Sequence, residues 1–203
     1  MMTLTWNYPN ELGWPNRRVE EENGQVHYET DEEHGLTETG IAFVEAMEEM
    51  GMIIDVAHLN DGGIWDVFHH TKKPFVASHS NCRAATPHPR NLTDEMIREL
   101  SCRGGVAGIN FNKAFVAGRP GLSGREESTM EEILAHIRHM KKVGGIEVIG
   151  LGSDFDGIPN RVAFKDASGM QLLAEAMERD GFTTGEIEAV FYKNVLRVYQ
   201  ELL

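Results

Sequence analysis

Cysteine is scarce. Cys82 and Cys102 are the only two, they are not spaced as CxxC, and they outline no disulfide framework. A reducing compartment fits that scarcity. Positive charge is also in short supply: 19 Lys and Arg against 32 Asp and Glu give a formal net charge of −13. Such a balance argues against a nucleic-acid backbone or an anionic membrane surface as the main partner, though a local basic pocket is compatible with it. No apolar run reaches the roughly 18 residues of a spanning helix. The opening MMTLTWNYPN has neither the basic nor the apolar region of a signal peptide, so a cytoplasmic location is the expectation. Low-complexity segments, internal repeats and linkers are lacking, and residues 1–203 read as a single domain. Nucleotide-binding fingerprints are missing as well. Gly150-Leu151-Gly152 runs on into Ser-Asp-Phe without the third glycine, and no phosphate loop follows an early strand.

What is present is a hydrophobic fraction of 41%, enough for a sizeable core, arranged as strand then helix about five times over. Apolar strands are expected at 2–6, 52–57, 75–77, 105–111 and 148–151. Helices are expected at 37–50, with Thr37 as N-cap, and at 63–70, 93–101, 129–143, 168–179 and 183–203. The strands are near-continuous apolar runs, as in a parallel sheet buried on both faces. Residues 7–35 form a long polar stretch, expected to be a lid, a binding loop or a solvated acidic excursion. In a parallel β/α barrel the functional residues sit at the C-terminal ends of the strands, and the polar residues of this chain lie there.

His58 follows IIDVA and His79 follows FVAS. Their separation is about one β/α unit, so they fall on neighbouring strands at the same end of the sheet. One strand-end histidine is more often a hydrogen-bonding residue than a ligand. An adjacent pair points to zinc or a similar metal, for which neutral imidazoles are good ligands. Asp154 and Asp156 lie in GLGSDFDG after another apolar run. Strand alternation would aim both one way and Phe155 the other, while Asp156-Gly157 is also strong turn chemistry. Arg90, in the loop after His79, carries the planar fork that suits a carboxylate. Arg83, Arg17 and Arg18 compete with it, and His88 and Asp55 are further candidates. His69, His70, His136 and His139, on predicted helices, read as structural or surface residues, and His27 and His34 as loop residues. These residues alone describe a barrel-like metallohydrolase of open substrate.

The segments MTLTWNYPNELG, GMIIDVAHLND, PFVASHSNCRAATPHPRNLTD, GGVAGINF and GLGSDFDG, in this order, resemble the membrane (renal) dipeptidase family in its bacterial form, from about Met2 to the C-terminal NVLRVYQELL. The resemblance implies a (β/α)8 TIM barrel of the metal-dependent hydrolase type with two zinc ions. By motif, His58 and His79 correspond to the two histidine ligands of one metal. Arg90 corresponds to the residue holding the substrate carboxylate. Asp154 corresponds to the catalytic residue beside the substrate amino group and the attacking water. The implied reaction is zinc-dependent hydrolysis of a dipeptide by a metal-activated water. Trp6 stands where animal members carry a substrate-contacting histidine, with Asn7 beside it.

The family's His-x-Asp pair and bridging glutamate precede the segment matched at Met2. The resemblance therefore implies an incomplete barrel of about five C-terminal β/α units, at most one zinc held weakly, and association with a missing N-terminal part or with further copies. Hydrolysis of another small amide such as an N-acyl amino acid, and a non-catalytic remnant or subunit, are the alternatives.

Overall fold

Side-chain caps set where the helices start. Thr37 accepts the Gly40 N–H to open α1 (Glu38–Glu49), and Asn60 accepts the Gly63 N–H to open α2 (Asp61–His70). Thr93 does the same for α3 (Asp94–Cys102), and Asn112 for the short α4 (Lys113–Val116). Thr129 and Glu132 form a full capping box at the start of α5 (Met130–Gly144), satisfying two orphan donors reciprocally. The computed structural model describes residues 1–117, 128–158, 164 and 166–203.

Between the helices run β1 (Met2–Thr3), β4 (Ile54–Asp55), β5 (Val76–Ala77), β6 (Val106–Asn110) and β7 (Ile149–Ser153). They form one parallel five-stranded sheet in the order β1-β4-β5-β6-β7. The ladders are shorter than the apolar runs that encode them. Residues such as Val56 and Phe75 are buried without belonging to the named strands.

Side-chain period two divides the sheet. Ile54, Ala77, Ala107, Ile109 and Ile149 join the main core with the helices, while Ile53, Val76 and Val106 pack on the opposite side against Val198. No helix among the described residues is long and apolar enough to cross a membrane.

One expectation changes. The polar stretch at 7–35 contains an antiparallel hairpin, β2 (Arg17–Glu20) with β3 (Val26–Glu29), turning at Gly24 with φ 81°. The C-terminal helix runs as expected but changes type part-way. After α6 (Met170–Arg179) come α7 (Thr184–Glu188), a π-helical turn (Ala189–Lys193) and α8 (Asn194–Leu202). Asn194 is thereby placed to donate to the Ile146 and Ile149 carbonyls, each at 2.8 Å, at the root of β7.

Candidate active site

Both histidines lie just past their strands, in turns, and not within the ladders. His58 takes a left-handed φ of 74°, a backbone state uncommon for a non-glycine residue and worth examining where it occurs beside polar chemistry. The turn carrying His79 folds down over two glycines. A Cβ at Gly108 would lie 2.1 Å from the Ser78 carbonyl oxygen; one at Gly152 would lie 2.2 Å from that oxygen and 2.8 Å from the His79 Cα. Only strands without side chains at these points, Gly108 in β6 and Gly152 in β7, admit the turn.

The imidazoles converge. Nε2 of His58 and Nε2 of His79 are 2.9 Å apart, with ring centroids at 4.9 Å. His58 Nδ1 lies 3.2 Å from Asn7 Oδ1, and His79 Nδ1 lies 2.7 Å from Ser78 Oγ. Burial, with the Arg90 charge adding to it, pushes His58 down to about 3 and lowers His79 as well. Both rings are therefore neutral near pH 7, the form that ligates metal. Among the described residues no group of three or more His, Cys, Asp or Glu is arranged around one point to hold a metal. The donor set fits a metal as a pair of imidazole nitrogens and not as a closed cage.

Asp154 follows β7 with φ 70°, after Ser153 at 36°. The expected alternation stops there, because residues 154–157 form a turn closed by Gly157 N–H to Asp154 O at 3.0 Å. Asp156 is exposed in that turn, as its Asp-Gly sequence suggested. Asn110 Nδ2 donates to Asp154 Oδ2 at 3.1 Å. Asn110 is itself held through its backbone by the Asn81 amide, at 2.9 Å in both directions. His58, His79 and Asp154 share an open cleft of about 540 Å³ with Leu4, Thr5 and Trp6. Trp6 is 63% exposed and meets Tyr8 edge to face at 6.3 Å.

Arg90 is separated from its competitors by its environment. Arg83 binds Asp61 with two bonds of 2.6 and 2.7 Å, and also donates to the carbonyls of Asn91 and Pro89. It therefore braces the loop that carries Arg90. Arg17 pairs with Glu29 and Arg18 with Glu20 on the exposed hairpin. Arg90 has a buried Nη2 with no hydrogen-bond partner. Its guanidinium carbon lies 5.6 Å from the Phe115 ring centre, a cation–π distance. Burial brings its pKa down to about 10, against the opposing charges of Asp154 and Asp55.

His88 accepts the Arg90 N–H at 3.1 Å and lies between the tilted rings of Tyr28 and Phe115. Burial, then Arg90 and Arg83, lower its pKa to about 4. It supports Arg90 and does not join the imidazole pair. His136 is buried against Cys82 and Val116, His139 pairs with Asp94, His70 with Glu45, and His69 packs on Trp65. His27 and His34 face carboxylates on the hairpin and in the segment after it. Ser78, Asn81 and Asn110 were not singled out in the sequence. A hydroxyl or amide shows its role only through its neighbours.

Comparison with known families places the chain. The model described as membrane dipeptidase (peptidase family M19) matches residues 1–202. The chain belongs to the membrane dipeptidase family. An uncharacterized protein in the pqqA 5′ region of Klebsiella pneumoniae is 34% identical over 199 residues, covering 97% of this chain and 70% of that protein. An uncharacterized dipeptidase of Schizosaccharomyces pombe is 36% identical over 171 residues, 83% of this chain and 40% of its own. Among solved structures, an M19 metallopeptidase, dipeptidase AC, matches with a TM-score of 0.77 at 32% identity, covering 83% of this chain and 49% of that one. A Rhodobacter sphaeroides metallopeptidase liganded with a phosphinate mimic of the dipeptide L-Ala-D-Ala matches with a TM-score of 0.77 at 31% identity, covering 83% and 48%. The chain thus spans about half the length of these solved family members, and its parallel α/β fold is theirs.

Proposed function

We propose that this chain carries the substrate-holding and one-metal part of a zinc-dependent dipeptidase site, built on about five strands of a (β/α)8 barrel. The observation that carries the reading is the convergence of His58, His79 and Asp154 in one cleft, with the unpartnered Arg90 Nη2 buried beside Phe115. In our reading His58 and His79 hold zinc through Nε2. Zinc bound there supplies Lewis acidity at the scissile carbonyl and lowers the pKa of water.

The chain's own residues do the rest. The Arg90 fork binds the free C-terminal carboxylate and so fixes one end of the substrate. Asp154, oriented by Asn110, holds the free amino end or carries the proton that the leaving amine takes up when the C–N bond breaks. Holding both ends makes a dipeptide the natural length. Two imidazoles fall short of the usual three protein ligands of a catalytic zinc, so this chain alone should hold at most one zinc, weakly. Association with a polypeptide carrying further strands, or with further copies, would supply the rest. The free thiols Cys82 and Cys102 support the cytoplasm as the proposed location.

The test is zinc titration of the purified chain beside dipeptide and N-acyl amino acid assays. One weak equivalent that is lost in both His58→Ala and His79→Ala is expected, together with negligible hydrolysis. Zinc binding indifferent to both substitutions would overturn the metal assignment. In a complemented enzyme, a preference for N-acyl amino acids over dipeptides would replace the substrate.

A further inference from the structure

We propose that Asp55, acting through the Ser78 hydroxyl, is a positioning residue that fixes His79 as its Nδ1–H tautomer and so turns its Nε2 lone pair into the cleft. The proposal rests on the metal-site reading for its purpose, but not for its geometry.

Asp55 is fully buried at the end of β4. Its Oδ2 receives the hydroxyls of Thr3 at 2.6 Å and Ser78 at 2.7 Å; its Oδ1 receives the backbone N–H groups of Ala57 at 3.0 Å and Ser78 at 2.8 Å. Four donors and no acceptor surround it, an arrangement that only a carboxylate satisfies. Cross-strand register supplies the first of them, since Thr3 and Asp55 are paired residues of β1 and β4.

Ser78 has one hydroxyl proton, and Asp55 takes it. The 2.7 Å contact between Ser78 Oγ and His79 Nδ1 must then be made by the imidazole's own proton. The opposite arrangement would press two unprotonated oxygens together inside the protein, where an unsatisfied polar contact is costly. Nε2 of His79 is left as the acceptor. His58 Nδ1 faces the side-chain oxygen of Asn7, so the same form fits it. With both rings in that form, two lone pairs meet across the 2.9 Å between the Nε2 atoms, and a cation is the group that such a pair attracts.

The relay can be read without metal or turnover. Nitrogen-15 correlation spectra of the metal-free chain, at a pH where His79 is neutral, should show it protonated at Nδ1. In Asp55→Asn the amide oxygen can keep the two backbone donors while the amide NH2 faces Thr3 and Ser78. Ser78 must then turn and donate to His79 Nδ1, which moves the ring proton to Nε2. Zinc affinity should fall roughly 10- to 100-fold, as for other outer partners of metal ligands. Ser78→Ala should give a tautomer mixture, and Ser78→Thr should restore the single form.

A folded Asp55→Asn chain whose His79 keeps its Nδ1 proton would overturn the proposal. If that variant does not fold, an unmixed Nδ1–H signal in Ser78→Ala overturns it equally. A tautomer that moves as expected in a chain indifferent to zinc would uphold the relay and remove the metal reading instead.

Discussion

A buried guanidinium nitrogen with no partner is costly to keep unless a ligand completes it. That is the condition of Arg90, and it sets what its removal should do. In an enzyme assembled around this chain, Arg90→Ala should cost about 2–5 kcal/mol in kcat/KM on free dipeptides. C-terminally amidated dipeptides should lose most of that dependence, and equal losses on both substrates would remove the carboxylate role. Asp154→Asn should lower turnover severely while sparing the fold, since asparagine tolerates the left-handed backbone at φ 70°. Asp156→Asn, on an exposed turn, should be mild; a reversal of these two outcomes would move the catalytic role to Asp156. Spacing alone did not separate Arg83 from Arg90; only the family motif favoured Arg90. What separates them is Asp61, which satisfies one and lies out of reach of any spacing argument.

At the scale of elements, most helix starts were legible because a Thr or Asn cap is a local signal read over three or four residues. Strand ends were less so. Burial continues past the ladders, so the apolar runs at 52–57 and 75–77 overstate them, and His58 and His79 prove to be turn residues. The hairpin at 17–29 escaped notice because it is mostly exposed and polar, and its cross-strand Arg17–Glu29 pair leaves no apolar trace.

The glycines under the His79 turn allow a direct test of how the elements place the site. Gly152→Ala would drive a Cβ into the Ser78 carbonyl at 2.2 Å and the His79 Cα at 2.8 Å, both backbone atoms with little room to yield. Overpacking of this kind costs about 1–3 kcal/mol. The thermal midpoint should drop modestly, and zinc binding by the imidazole pair should drop more. Unchanged zinc affinity in a folded variant would show that the turn does not depend on the close approach.

For the molecule as a whole, acidity should be the weak side. Burial holds His136 down at about 4, with the Val116 carbonyl pulling the other way; an exposed histidine titrates near 6.5. Between those values the unfolded chain binds the extra proton. The stability from this residue is therefore complete above about pH 6.5 and is lost as pH falls toward 4, on the order of 3 kcal/mol. Denaturant melts across that window should show the loss, and His136→Gln should make the slope shallower by this residue's share, with His58, His79 and His88 keeping theirs. A wild-type profile without slope would contradict the burial argument.

The π-helical turn at Ala189–Lys193 has its own consequence at this scale. It works as a phase shifter in an otherwise regular rod, setting Asn194 over two carbonyls and Val198 over the sheet. Removing one residue there would yield a more ideal helix of nearly the same composition. Because a π turn holds one residue more than an α turn, α8 would keep its phase; the full-length segment forced into α geometry would instead turn α8 by about 100° and uncover the sheet's second face.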